Sequence, residues 1–273
     1  MSEIHALVDN EFSTRGDGER TLIQRILFPL DSNGNPRIPW MAAGIGTFLA
    51  MVFFTAYRLY TQEHSFTVGL DYFEPAFAEY WMSLFWIQIT ILSIALVVGS
   101  AAVWLTRPED PHQMTPEKEL GIYYLIFAFM AAGSIILSVI LGVFVEADAA
   151  WHQVTIRDTD FTPTHIGLFY MAIPAGAVGA IIGAIWLHTR MPDFSGRVSV
   201  PFFITAMAPI LIMPNLGLNE WGHTFFYAEE LFAAPIHWGF VVLGWGLFAL
   251  GGFFIQCIKR VQVLTTAPTR QEV

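Results

Sequence analysis

The sequence is short of charge. Of 273 residues only 13% are Asp, Glu, Lys or Arg, against about 25% in a soluble domain, while 55% are hydrophobic and the mean hydropathy is +0.53. Six windows, 38–57, 80–106, 120–145, 166–187, 198–219 and 231–258, hold no charged side chain at all. Each reaches the roughly 20 residues that cross a hydrocarbon core. This argues against a soluble enzyme and predicts an all-α, polytopic membrane protein with about six transmembrane helices. Cysteine is nearly absent too. Cys257 stands alone near the end of the last window, so no intrachain disulfide can form and it reads as a small apolar filler. The first ten residues contain acids and no charged-then-apolar pattern, so no cleavable signal peptide is expected and the first span must direct insertion.

The charge that exists is unevenly placed. With six spans both termini share a side. That side carries eleven basic residues, including Arg20, Arg25, Arg37, Arg107, Lys118, Arg190, Lys259 and Arg260; the other carries only Arg58 and Arg157. The positive-inside rule then puts both termini in the cytoplasm. The chain divides into a tail at 1–37, a six-span domain at 38–258 and a tail at 259–273. Within the first tail Leu22, Ile23, Ile26, Leu27 and Leu30 form an apolar stripe beside Arg20 and Arg25. That is the pattern of an amphipathic helix lying on the cytoplasmic leaflet, or against a partner subunit. The small residues of the third and fourth spans, Gly133, Gly176, Gly179 and Gly183 among them, suggest faces that meet other helices. The fifth window, with Pro201, Pro209 and Pro214, reads as broken backbone beside a polar cavity. His188 reads as an interfacial side chain, His112 as solvated, and His64 as belonging to no spaced set.

The polar groups between the third and fourth windows form a pattern. Asp148 and His152 are four apart, which puts them on one helix face. Pro163 suits the first position of a new helix and places His165 in its opening turn. The device recurs, with Asn219 and His223 four apart and Pro235 two residues before His237. The step between the outer histidines is thirteen residues in one copy and fourteen in the other. Two imidazoles and a carboxylate make a metal-ligand set. Ionisable groups near hydrocarbon cost about 2.5–3.5 kcal/mol each at the bilayer centre, and a divalent cation compensates several at once. Ligand type alone fits non-haem iron or zinc, and two histidines could also hold a haem. Against haem, each His has a further donor one turn away. Arg157, Asp158 and Asp160, between ligands, and Glu229 and Glu230, ahead of His237, could orient the imidazoles.

Longer phrases carry a resemblance. Asp148-Ala-Ala-Trp-His-Gln-Val, Ile156-Arg-Asp-Thr-Asp-Phe-Thr-Pro-Thr-His165, Asn215-Leu-Gly-Leu-Asn-Glu-Trp-Gly-His223 and the run from Glu229 to Trp245 closely resemble the C subunit of the copper membrane monooxygenases. That family includes the particulate methane, ammonia and short-chain hydrocarbon monooxygenases. The likeness runs from the third span to the C-terminus. It implies copper held by Asp148, His152 and His165, and a second set at Asn219, His223 and His237. It also implies assembly with the A and B subunits, three copies of each, and hydroxylation of a small substrate with dioxygen and two electrons from a donor such as quinol. No nucleic acid is expected. The acidic N-terminal tail and the scarcity of lysine favour a hydrocarbon (methane or a short-chain alkane) over ammonia as substrate. Two other classes remain at this point, a metal transporter and a structural subunit braced by its metal.

Overall fold

The computed structural model describes residues 20–68, 71–152, 163–206 and 251–266. It is mostly helical, with no strand among the described residues beyond a single antiparallel bridge between Leu30 and Pro36. The helices are α1 (Leu22–Leu27), α2 (Trp40–His64), α3 (Pro75–Phe77, a π-helical turn Ala78–Met82, then Ser83–Leu105), α4 (Pro116–His152), α5 (Pro163–Gly167, a π-helical turn Leu168–Ala172, then Ile173–Arg190), α6 (Pro192–Ser195), α7 (Val200–Ala206) and α8 (Gly251–Thr266). Four described helical stretches are long and apolar enough to cross a membrane: Trp40–His64, Pro75–Leu105, Pro116–Ile136 within α4, and His165–Arg190 within α5.

Proline and small hydroxyls set the helix starts. Pro75, Pro116, Pro163 and Pro192 each occupy a first helical position, where the missing N–H would have no partner anyway. At α4 the Thr115 hydroxyl accepts from the Lys118 amide at 3.3 Å, and Glu117 and Glu119 lie in the first turn, where the helix dipole favours anions. At α7 the Ser199 hydroxyl accepts from the Phe202 amide at 3.2 Å and donates to Gln256 Oε1 at 2.6 Å, so one side chain caps α7 and ties it to α8. Pro201 therefore opens a helix here instead of breaking one. The rest of the irregular fifth window lies outside the described residues.

α3 packs along α5, and α2 along α4; α8 packs on α4 and α7. At one end of the bundle polar ties link neighbouring helices. Arg190 donates to the Val103 carbonyl at 2.9 Å and to Thr106 Oγ1 at 2.7 Å. Arg260 grips Glu119 with two bonds of 2.8 Å. Beneath them lies a core of Phe28, Tyr123, Leu187, Met191, Phe194 and Phe253. His188 belongs to this end and is not merely interfacial. Its Nδ1 donates to the Ala184 carbonyl at 2.8 Å and its Nε2 accepts from the Ser199 amide at 3.2 Å, which fixes the orientation of the ring. His112 is exposed, as expected, with Nε2 3.2 Å from the Ser195 hydroxyl.

Among the described residues, Gly99 marks a close helix approach that the small-residue pattern does not single out. A Cβ on Gly99 would lie 2.6 Å from Ile182, so this is where α3 and α5 press together. Among the described residues a Cβ on Gly176 or Gly179 would meet nothing within 4 Å, while one on Gly183 would lie 3.7 Å from Phe202. α1 is also shorter than its stripe. Leu30 lies beyond it, because the residue before Pro29 is driven out of the helical region. Phe28 is buried instead, while Leu22 and Ile23 are exposed.

Candidate metal centre

The polar end opposite the arginines is built on α4. That helix has 37 residues, which at 1.5 Å per residue is about 55 Å, well beyond a hydrocarbon core of about 30 Å. The charge-free window stops at Val145, but the helix continues through Glu146 and Asp148 to His152. Carboxylates end a hydrocarbon segment without ending a helix. The backbone thus holds Asp148 and His152 one turn apart on a continuous α-helix; their side chains lie outside what the structure describes. Asn219, His223, His237, Arg157, Asp158, Asp160, Glu229 and Glu230 lie outside the described residues altogether.

His165 is described, and its position is tightly determined. It is the third residue of α5, behind Pro163, in a segment that packs against α4 and α2. The next residue, Ile166, is fully buried with Phe77 and Trp81. Gly167 lies so close to Tyr57 of α2 that a Cβ there would be 2.5 Å from Tyr57 Cε1. From α3, Gln88 Nε2 donates to the Ile166 carbonyl at 3.3 Å. Two π-helical turns flank this spot, Ala78–Met82 carrying Trp81, and Leu168–Ala172 immediately after Gly167. A π turn interrupts the regular hydrogen-bond ladder, and the Gln88 amide supplies an outside donor to a carbonyl just ahead of that interruption. The first turn of α5 is thus held on three sides.

An aromatic layer closes this end. Tyr60 OH donates to the Tyr80 carbonyl and Trp81 Nε1 to the Val68 carbonyl, both at 3.1 Å. His64 sits between Tyr60 and Tyr80, with ring centroids 4.6 Å and 5.1 Å away. That is the placement of a packed imidazole. Neither Gln88 nor the π turns stand out in the sequence. A glutamine inside a charge-free window was the available signal, because a buried amide needs a partner; the π turns have no sequence signature. Among the described residues no three His, Cys, Asp or Glu side chains gather into a metal-binding group.

What this end can do chemically follows from its donor types. Two imidazoles and a carboxylate, if brought together from one helix end and the start of the helix packed against it, are donor types that suit a divalent transition-metal ion with an open position.

Comparison with known proteins extends the likeness beyond the motifs. The family described as the C subunit of ammonia monooxygenase/methane monooxygenase matches residues 35–267, so it takes in the first two spans as well as the region of the paired histidines. No individual curated protein matches the chain. With the match covering most of the chain on a helical membrane-type scaffold, the protein belongs to the C-subunit family of the ammonia and methane monooxygenases, a membrane subunit of a multi-subunit monooxygenase complex.

Proposed function

We propose that this chain is the copper-bearing C subunit of a membrane monooxygenase that hydroxylates a small hydrocarbon, methane or a short-chain alkane, with ammonia as the alternative substrate. The observation that carries the reading is the run of α4 through Asp148 to His152, followed by the fixed start of α5 at His165. Asp148, His152 and His165 are the first ligand set, and Asn219, His223 and His237 the second. Copper held there would supply activation of dioxygen with electrons from a donor such as quinol. The residues of this chain do the rest. Asp148 brings a negative charge that offsets the positive end of α5's dipole beside His165. The aromatic layer of Tyr60, Trp81 and Phe77 keeps water from the first turn of α5. Arg157, Asp158, Asp160, Glu229 and Glu230 are available to orient imidazoles.

The remaining windows, 198–219 and 231–258, supply a fifth and a sixth span. Both termini lie in the cytoplasm, α1 rests at the inner leaflet, and the ligand sets face outward. The A and B subunits complete the assembly, in three copies each. The test is turnover by membranes carrying His152→Ala or His165→Ala, offered ethane, methane and ammonia side by side. Loss of turnover with the complex still assembled supports the reading, and the substrate consumed by the unaltered membranes names the reaction. Full turnover by either variant removes the site from the chemistry and leaves a structural metal. Metal movement across sealed vesicles without oxidation would make the chain a transporter.

A further inference from the structure

At the opposite end from His165, the start of α2 carries a cavity that the oxygenase reading does not use. Its volume is about 470 Å³, and Arg25, Arg37, Leu30, Trp40, Met41 and Tyr124 are among its lining residues. The segment that forms it is internally braced. The buried Arg20 donates to the Gln24 carbonyl at 3.1 Å and to the Phe28 carbonyl, closing the end of α1. Thr21 and Gln24 form a reciprocal capping box at its start. The chain then reverses through Gly34, whose φ of 83° belongs to glycine. Asp31 accepts from the Asn33 and Asn35 amides at 2.8 and 2.9 Å, and the Arg37 amide donates to the Pro29 carbonyl at 2.8 Å.

Two properties of this cavity point to an amphiphile. Its lining includes the exposed Arg25 and Arg37 and no carboxylate; Arg25 Nε also donates to the Arg20 carbonyl at 3.2 Å, and the neighbouring Asp31, held by the turn, offsets part of the Arg37 charge. Its other wall is apolar and opens outward, with Trp40 62% and Met41 65% exposed, and the exposed face continues up α2 through Ile45 and Phe48. Positive charge at the mouth and an uninterrupted apolar track along a membrane-length helix match a headgroup phosphate with acyl chains attached. Basic pockets beside transmembrane helices hold anionic headgroups in this way, and guanidinium forks suit phosphate oxygens.

We propose that this cavity binds one anionic phospholipid, its phosphate on Arg25 and Arg37 and its acyl chains along Trp40, Met41 and the exposed face of α2. The lipid holds the N-terminal segment on the first span, and the proposal stands without reference to the metal sites.

The test is native mass spectrometry of the intact purified complex, delipidated in steps and then exposed to vesicles containing phosphatidylglycerol or only phosphatidylcholine. The unaltered complex should keep one phosphatidylglycerol per copy of this chain and prefer it to phosphatidylcholine. At about a fivefold effect per arginine near a headgroup, Arg37→Gln should weaken retention roughly fivefold and Arg25→Gln/Arg37→Gln about thirtyfold. The single variant keeps the Arg37 amide bond to the Pro29 carbonyl that closes the brace and removes only the side chain's attraction for Asp31. Arg37→Lys should keep most of the binding. Equal retention by the unaltered and double-variant complexes overturns the proposal. So does displacement of the lipid by inorganic phosphate alone, which would make this a free-phosphate site, or finding the cavity filled by another subunit's side chains.

Discussion

Replacing Arg260 with alanine isolates an ion-pair tie between α8 and α4. Glu119 is 2% exposed, and both of its oxygens are held at 2.8 Å by Arg260. Removing one member of a buried pair costs about 3–5 kcal/mol, because the other charge stays buried without compensation. The Arg260 side chain is 29% exposed, so water can reach part of the gap and the low end, about 3 kcal/mol, applies. At about 2–4 °C per kcal/mol for a domain of this size, Arg260→Ala should lower the unfolding midpoint of the assembled complex by roughly 6–12 °C. Glu119→Ala/Arg260→Ala removes the stranded carboxylate and should recover part of that loss. The assay is tryptophan-monitored thermal unfolding of all four members of the double-mutant cycle at one fixed copper load. A single variant within about 0.5 kcal/mol of the unaltered protein, or a double variant no better than Arg260→Ala, would refute the buried-pair argument.

Three further outcomes are expected. Gln88→Leu leaves the Ile166 carbonyl without its side-chain donor, a loss of about 1–3 kcal/mol; copper retention at the Asp148 set should fall in dialysis while the complex still assembles, and unchanged retention would separate Gln88 from the site. Gly167→Ala places a methyl 2.5 Å from the Tyr57 ring and should cost about 1–3 kcal/mol by overpacking; a thermal midpoint equal to the unaltered protein's would show that α5 starts elsewhere. During stepwise chelation the Asn219 set should lose metal before the Asp148 set, since only the latter brings a full negative charge against the helix dipole. Metal analysis of variants lacking one set at a time reads the order, and the reverse order contradicts the charge argument.

The sequence showed which segments are apolar better than where helices end. Windows free of charge found the four described membrane-length helices, because hydrocarbon excludes Asp, Glu, Lys and Arg. They stopped short at Val145 and at Ile258, whereas α4 runs to His152 and α8 to Thr266. A charge leaves the hydrocarbon but not the helix, and that difference is what carries Asp148 and His152 beyond the apolar span. Proline gave the start of α5 because its geometry acts locally. What holds that start in place was not readable, since Gln88 and Ile166 are 78 residues apart and a π turn leaves no periodic mark. His188 is likewise only partly legible, because the bond that orients it comes from Ser199, eleven residues on and beyond α6.

The central claim is that imidazoles from α4 and α5 share one copper ion. Electron–nuclear double resonance on copper-loaded membranes with isotopically labelled histidine tests it most directly. The expected result is a nitrogen count for the Asp148 set that falls when His165 is replaced by alanine, together with lower copper stoichiometry in an assembled complex. A spectrum and copper content identical in the unaltered protein and the His152→Ala and His165→Ala variants would contradict it.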